Sequence, residues 1–304
     1  MSKVVVNKID SYKGHNDAVY TLEGFSSDNI FFSAAGDGMV VQWDLSEPDK
    51  GKLVAKLPNS IYGLHYLRNA NVLAIGHNYE GVHFIDLDGK EERASLKFLE
   101  SAIFDIQSYK NKMYVGGGDG ILYILSLTPL KLIDKISVAE KSVRTISINK
   151  ERQEIAVGTS DNTIKIFDLE NHEEKYSIDA AHDNSVFTLK YSPDNKLLLS
   201  AGRDAHLKIW DVEAGYMLLE DIVAHMYAIN NIAFSPDGKH FVTCSMDKSI
   251  KVWDAERFKL LKVIDKARHA GHGTSVNKLL WTNHNDLLVS ASDDRTISIW
   301  NLEL

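Results

Sequence analysis

The sequence predicts an all-β protein in which one four-stranded unit is repeated seven times. Three observations predict it. First, four residue types recur at fixed spacing: His15, Ser33, Asp37 and Trp43; His182, Ser200, Asp204 and Trp210; His225, Thr243, Asp247 and Trp253; His272, Ser290, Asp294 and Trp300. In every set the hydroxyl residue follows the His by 18 positions, the Asp by 22 and the Trp by 28. Second, the marks that end each unit fall at 43, 85, 125, 167, 210, 253 and 300, with steps of 40 to 47 residues, the length of a four-stranded repeat. Third, the segments between the marks alternate as strands do. Leu207 and Ile209 stand against His206 and Lys208, and Ile250 and Val252 against Ser249 and Lys251.

Taken in order, the chain opens on Lys3-Val4-Val5-Val6-Asn7-Lys8-Ile9, a strand-like segment outside any unit. The first unit runs through Trp43-Asp44 to an outer strand at residues 52–57. Units two, three and four end at Ile85-Asp86-Leu87, Leu125-Ser126-Leu127 and Phe167-Asp168-Leu169. They lack the His and the Trp, and their hydroxyl positions are apolar: Ile75, Val115 and Val157. Their Asp-equivalent positions are Tyr79, Asp119 and Asp161, and the third unit has an outer strand at 131–136. The fifth unit reads as strands at 186–191, 197–201, 206–211 and 217–223, the first pair joined by the turn Ser192-Pro193-Asp194-Asn195. The sixth ends at Val252-Trp253-Asp254 with an outer strand at 259–264. The seventh ends at Ile299-Trp300-Asn301 and has no outer strand before Leu304. Residues 3–9 are expected to supply it, which would tie down both termini and cover an open sheet edge.

Four concordant copies, from Gly14-His15 through Trp43-Asp44 to Gly271-His272 through Trp300-Asn301, resemble the WD40 repeat family. The resemblance implies a seven-bladed β-propeller, a single domain over residues 1–304, its ring closed by pairing of strand 3–9 with the last blade. It also implies that each His, Ser or Thr, Asp and Trp set forms a hydrogen-bonded network inside its blade. Physically, the Trp N–H can donate to the hydroxyl, the hydroxyl to the His and the His to the Asp. A half-satisfied network would leave buried donors unpaired, at roughly 1–3 kcal/mol each. Loss of His, hydroxyl and Trp together in units two to four fits that logic. These sets are therefore structural tetrads rather than a repeated His/Ser/Asp nucleophile.

Composition narrows the function classes. The chain has 304 residues, 44% hydrophobic and 25% charged, with a formal charge of −8. That charge argues against a general polyanion partner and so against nucleic acid. A single cysteine, Cys244, excludes a disulfide within the chain and fits a reducing, cytoplasmic setting. It reads as a small buried apolar group. The apolar run at Val4-Val5-Val6 is too short for a signal-peptide core, and no run approaches the ~18 residues of a membrane span.

By the same resemblance, three positions per blade line the top face. The position five after the His reads Tyr20, Tyr62, Phe104, Arg144, Phe187, Asn230 and Asn277, with units two to four aligned through Ile61, Ile103 and Val143. The position three after the His is small throughout: Ala18, Ser60, Ala102, Ser142, Ser185, Ala228 and Ser275. The position before the Asp includes Arg203 and Met246. Aromatic and Arg side chains dominate interface energies. Tyr20, Tyr62, Phe104, Arg144, Phe187, Arg203, Asn230, Met246 and Asn277 are thus the candidate partner-binding residues. The competing expectation is that the rings pack sideways on the next blade. Trp281, where other units have Tyr191 and Phe234, is assigned to the core.

Signals for catalysis are poor. His77 and His83 flank Glu80 in a turn, but a metal centre needs three or more converging ligands, and nothing else in the sequence converges there. Gly116-Gly117-Gly118-Asp119-Gly120 falls between strands, the wrong context for a phosphate loop. The expectation is a non-enzymatic scaffold without metal or cofactor that binds a protein or peptide, as a monomeric ring or a subunit of a hetero-complex. The alternatives are a propeller enzyme with a site at the channel mouth and a nucleic-acid-associated subunit of a larger complex.

Overall fold

The computed structural model describes residues 4–48 and 50–304. They form seven four-stranded sheets, six of them built from four consecutive strands. Two compact units emerge, Met1–Ile61 with Asn230–Leu304, and Tyr62–Ile229.

The first unit holds the first and seventh sheets and nearly all of the sixth. The first sheet is Val19–Gly24, Ile30–Ala35, Met39–Asp44 and Lys52–Lys56. The seventh is Val276–Trp281, Leu288–Ser292 and Thr296–Glu303, and its fourth strand comes from the start of the chain. That strand runs Val5–Lys13, four residues further than the sequence predicts; Lys3 lies outside the described residues. It pairs antiparallel with Thr296–Glu303 from Val5↔Glu303 to Lys13↔Thr296, and the register shifts between Lys8 and Asp10. The extension has a physical reason. Tyr12, 2% exposed, stacks on Trp43 of the first sheet at 5.4 Å between ring centroids. One strand thus completes the seventh sheet through its backbone and packs on the first through a side chain. Around Tyr12 the core contains Val19, Phe31, Trp43, Val289, Ile297 and Ile299.

The second unit holds sheets two to five. In the fifth, three strands match expectation, and the second ends at Gly202 rather than Ala201. The second strands of these sheets are mostly apolar and almost wholly buried, as Val72–His77 and Lys112–Gly117 illustrate. The fourth strands carry only exposed and half-buried residues. This is the pattern of strands ordered from the inside of a sheet stack outwards. Apolar side chains of neighbouring sheets interlock: Phe84, Ile103, Ile106 and Tyr123 in one cluster, Ile166, Leu189, Tyr191 and Trp210 in another. Cys244, in the first unit, is fully buried, and burial pushes its thiol pKa far up.

Candidate functional site

Three of the four tetrads are assembled as the spacing requires. In the fifth sheet Trp210 Nε1 donates to Ser200 Oγ at 2.8 Å, and Ser200 Oγ lies 2.7 Å from His182 Nε2. His182 Nδ1 lies 2.8 Å from Asp204. One tautomer satisfies every group: the hydroxyl donates to Nε2, and Nδ1–H donates to the carboxylate. Burial alone would raise the Asp204 pKa, but the His182 hydrogen bond overcomes this and holds it near 2. Asp204 also accepts the backbone N–H groups of Asp183 and His206, joining two loops. The first and seventh sheets repeat the arrangement through His15, Ser33, Asp37 and Trp43, and through His272, Ser290, Asp294 and Trp300. In the sixth, Trp253 donates to Thr243 Oγ1 at 3.0 Å; His225 belongs to the other compact unit. In the fourth sheet, which lacks the other three residues, Asp161 still accepts from the backbones of Glu140 and Lys141. The loop clasp therefore needs only the carboxylate.

Four of the predicted binding residues come together in the second compact unit. Tyr62 and Phe104 lie 5.7 Å apart between ring centroids. The Arg144 guanidinium sits 3.9 Å from the Phe104 centroid and 4.8 Å from that of Phe187. Successive sheets thus contribute Tyr62, Phe104, Arg144 and Phe187 to one stacked run, each half-buried. The expectation of sideways packing is met in part, since these rings do touch across blades. Among the described residues Arg144 makes no hydrogen bond or ion pair; its neighbours are ring faces. Burial lowers its pKa to about 10, so it stays charged at neutral pH. Beside this run the small positions support the frame: Ser142 Oγ donates to Gly118 O and Ser185 Oγ to Ser160 O. Arg203 is exposed.

The candidates in the first unit are more occupied. Asn230 Nδ2 donates to Ser275 Oγ and Val276 O, and Asn277 Nδ2 to Val19 O and Asp293 Oδ1. These amides tie sheet to sheet. Tyr20 is half-buried, and Met246 is 52% exposed. Trp281 is half-buried and packs against the core cluster that holds Leu279, Leu288 and Trp300, with Nε1 donating to Asp286 O. Sequence reasoning passed over Met226 and Tyr227, 81% and 61% exposed in the second unit. Their signal was available: after the other tetrad histidines stand Asn16-Asp17, Asp183-Asn184 and Gly273-Thr274.

Also missed was a buried polar cluster. Glu154, 0% exposed, accepts from Tyr216 Oη at 2.6 Å and Arg152 Nε at 3.2 Å, with Lys175 Nζ 2.9 Å away. Tyr191 Oη lies 2.8 Å from Tyr216 Oη. Burial would raise the Glu154 pKa, and these partners reverse the shift. With its oxygens engaged by cations and a phenol, Glu154 reads as cement between two sheets.

Comparison with known proteins accords with this architecture. The model of the WD domain, G-beta repeat, matches residues 6–44, and that of the nucleolar protein 10-like N-terminal domain, a β-propeller, matches residues 104–302. The solved WD40 β-propeller domain of Doa1 superposes with a TM-score of 0.86 over 98% of this chain and 97% of that one. At 18% identity the likeness is one of fold. Among curated proteins, the 66 kDa stress protein of Physarum polycephalum is 23% identical over 62% of this chain and 31% of its own length. The mouse periodic tryptophan protein 2 homolog is 23% identical over 62% of this chain and 22% of its own. The WD repeat-containing protein 91 homolog of Dictyostelium discoideum is 30% identical over 29% of this chain and 11% of its own. The chain thus spans under a third of the length of each of these relatives.

Proposed function

Because the chain belongs to the WD40-repeat family of seven-bladed β-propellers, whose members generally mediate protein interactions, we propose that it is a non-catalytic module binding a peptide or protein partner through Tyr62, Phe104, Arg144 and Phe187. One observation carries the proposal: Arg144 is a half-buried cation held between two aromatic faces, with its N–H donors unclaimed among the described residues. The rings fix the guanidinium plane, so little ordering entropy remains to be lost on binding. A partner carboxylate could take two parallel hydrogen bonds from it. The occupant favoured by this chemistry is an acidic side chain or a chain terminus flanked by apolar residues. The single buried cysteine is consistent with a reducing compartment.

The test compares proteins retained by the wild-type chain with those retained by Arg144→Met and by Tyr62→Ala with Phe187→Ala. Truncating an interface anchor typically costs about 2 kcal/mol or more, roughly thirtyfold in affinity. A partner lost by both variants, while their unfolding midpoints stay near that of the parent, supports the site. Undiminished affinity of the folded variants refutes it, and a stability loss of several kcal/mol assigns the rings to packing instead.

A further inference from the structure

We infer that His77, Glu80 and His83 form a binding site for one divalent transition-metal ion of the zinc class. The second sheet places them. His77 ends the strand Val72–His77, and His83 lies in Gly81–Asp86, paired with Ile75. Glu80 sits in the turn between them. Its Oε2 is 3.2 Å from His77 Nδ1, and His83 Nε2 is 3.3 Å from the same atom. One donor atom from each residue lies within 4.8 Å of the others.

The spacing is that of ligands. A tetrahedral ion with bonds of about 2.0–2.1 Å separates its ligand atoms by roughly 3.3 Å. Two of the three separations already have that value. Two imidazoles and one carboxylate form a donor set that suits zinc and its neighbours and not magnesium or calcium. The other nitrogen of His83, Nδ1, lies 3.2 Å from Glu92 on the adjoining strand. A carboxylate there fixes the ring with Nδ1–H outward and the Nε2 lone pair toward His77 and Glu80, as the outer partners of metal-bound histidines do.

With Nδ1 of His83 turned to Glu92, its Nε2 offers a lone pair toward His77 Nδ1 and the Glu80 carboxylate. Three lone pairs would converge on the ion, with a fourth position left to water on the Glu80 side, where the side chain is 48% exposed.

The turn is held ready for this. Tyr79 N donates to Ser101 O, Phe98 N to Glu80 O, and Ile103 N to Asn78 Oδ1. A ligand set on a clamped turn loses little freedom on binding. In the sequence the cluster lacked a visible third direction of approach; the hairpin supplies it by folding Glu80 back over the strand pair.

The experiment titrates the full chain with Zn²⁺ against a chromogenic chelator and records the visible spectrum with Co²⁺. Expected are one Zn²⁺ per chain, a strong four-coordinate Co²⁺ band, and no competition by Mg²⁺. Glu92→Gln should weaken Zn²⁺ binding by about 10–100-fold, and His83→Ala and Glu80→Gln by more. Unfolding midpoints of each variant in chelator show that it is folded, and Glu80→Gln, at an exposed turn position, serves where His83→Ala does not fold. With 12 histidines in the chain, binding elsewhere is the competing outcome. Absence of Zn²⁺ binding by the parent, or binding equally tight in folded Glu80→Gln and His83→Ala, would overturn the assignment.

Discussion

Ser200→Ala tests whether the tetrads hold the fold, because the hydroxyl is the middle of the chain of bonds. It accepts from Trp210 Nε1 at 2.8 Å and lies 2.7 Å from His182 Nε2. His182 and Ser200 are 0% exposed and Trp210 is 5% exposed, so water cannot replace the lost oxygen without rearrangement. Two buried polar groups are orphaned, at about 1–3 kcal/mol each, giving an expected loss of about 2–6 kcal/mol. Adding Trp210→Phe removes one orphan. The fourth sheet shows that Val157 and Phe167 are compatible at these two positions. The double variant should therefore be more stable than the sum of the single losses predicts, by about 1–2 kcal/mol. Urea unfolding followed by circular dichroism and tryptophan fluorescence gives the four stabilities, provided that both probes report the same transition. A Ser200→Ala loss within about 0.5 kcal/mol, the range of a surface substitution, would refute the reasoning. Strict additivity would refute it equally.

Two further perturbations follow from the same structure. Tyr12→Ala leaves the backbone pairing of residues 5–13 intact but removes the ring stacked on Trp43, and should cost about 3–5 kcal/mol in denaturant unfolding; a loss below 1 kcal/mol would show that pairing alone carries the latch. Burial drives the His65 pKa from 6.5 down to about 4, while its Nε2 lies 2.7 Å from Ser108 Oγ. The unfolded chain therefore binds the extra proton first: the contribution is complete above pH 6.5 and is lost as the pH falls toward 4, by up to about 3 kcal/mol. His65→Gln should flatten stability against pH across that window, and an unchanged slope would contradict the assignment.

Much of the fold was legible because it is periodic. The His-to-Trp interval of 28 residues and the alternation at Leu207 and Ile209 are local facts that repetition amplifies. The N-terminal strand was legible from a missing partner. Its far end was not, because Tyr12 is fixed by Trp43, which a strand pattern around Val4-Val5-Val6 does not register. The aromatic positions were legible through their offset from the His in the tetrad units and through alignment on Ile61, Ile103 and Val143 in the others. Sideways packing was one of two expectations, and the Arg144 contacts were not legible, since they depend on side-chain direction across three sheets. Glu154 and Tyr216 stand 62 residues apart on neighbouring sheets, and no spacing rule predicts that pair.

The distribution of the tetrads bears on where binding chemistry can reside. Sheets two to four have apolar residues at Ile75, Val115 and Val157 and so lack the buried hydroxyl of the tetrad. The same sheets contribute Tyr62, Phe104 and Arg144, and the second contributes His77, Glu80 and His83. In a tetrad blade the Asp clamps the turn before the third strand by accepting two backbone N–H groups, as Asp204 does. The second sheet has Tyr79 at that position, and Asn78 takes over part of the clamp by accepting from Ile103 N. Its turn is therefore held from the following sheet as well as from within. That releases the inner side of the hairpin from the His–hydroxyl–Asp pattern and allows two imidazoles and a carboxylate to face one another there. The tetrad blades fix the frame through satisfied networks, and the proposed contacts draw on blades of both kinds, since Phe187 comes from the fifth.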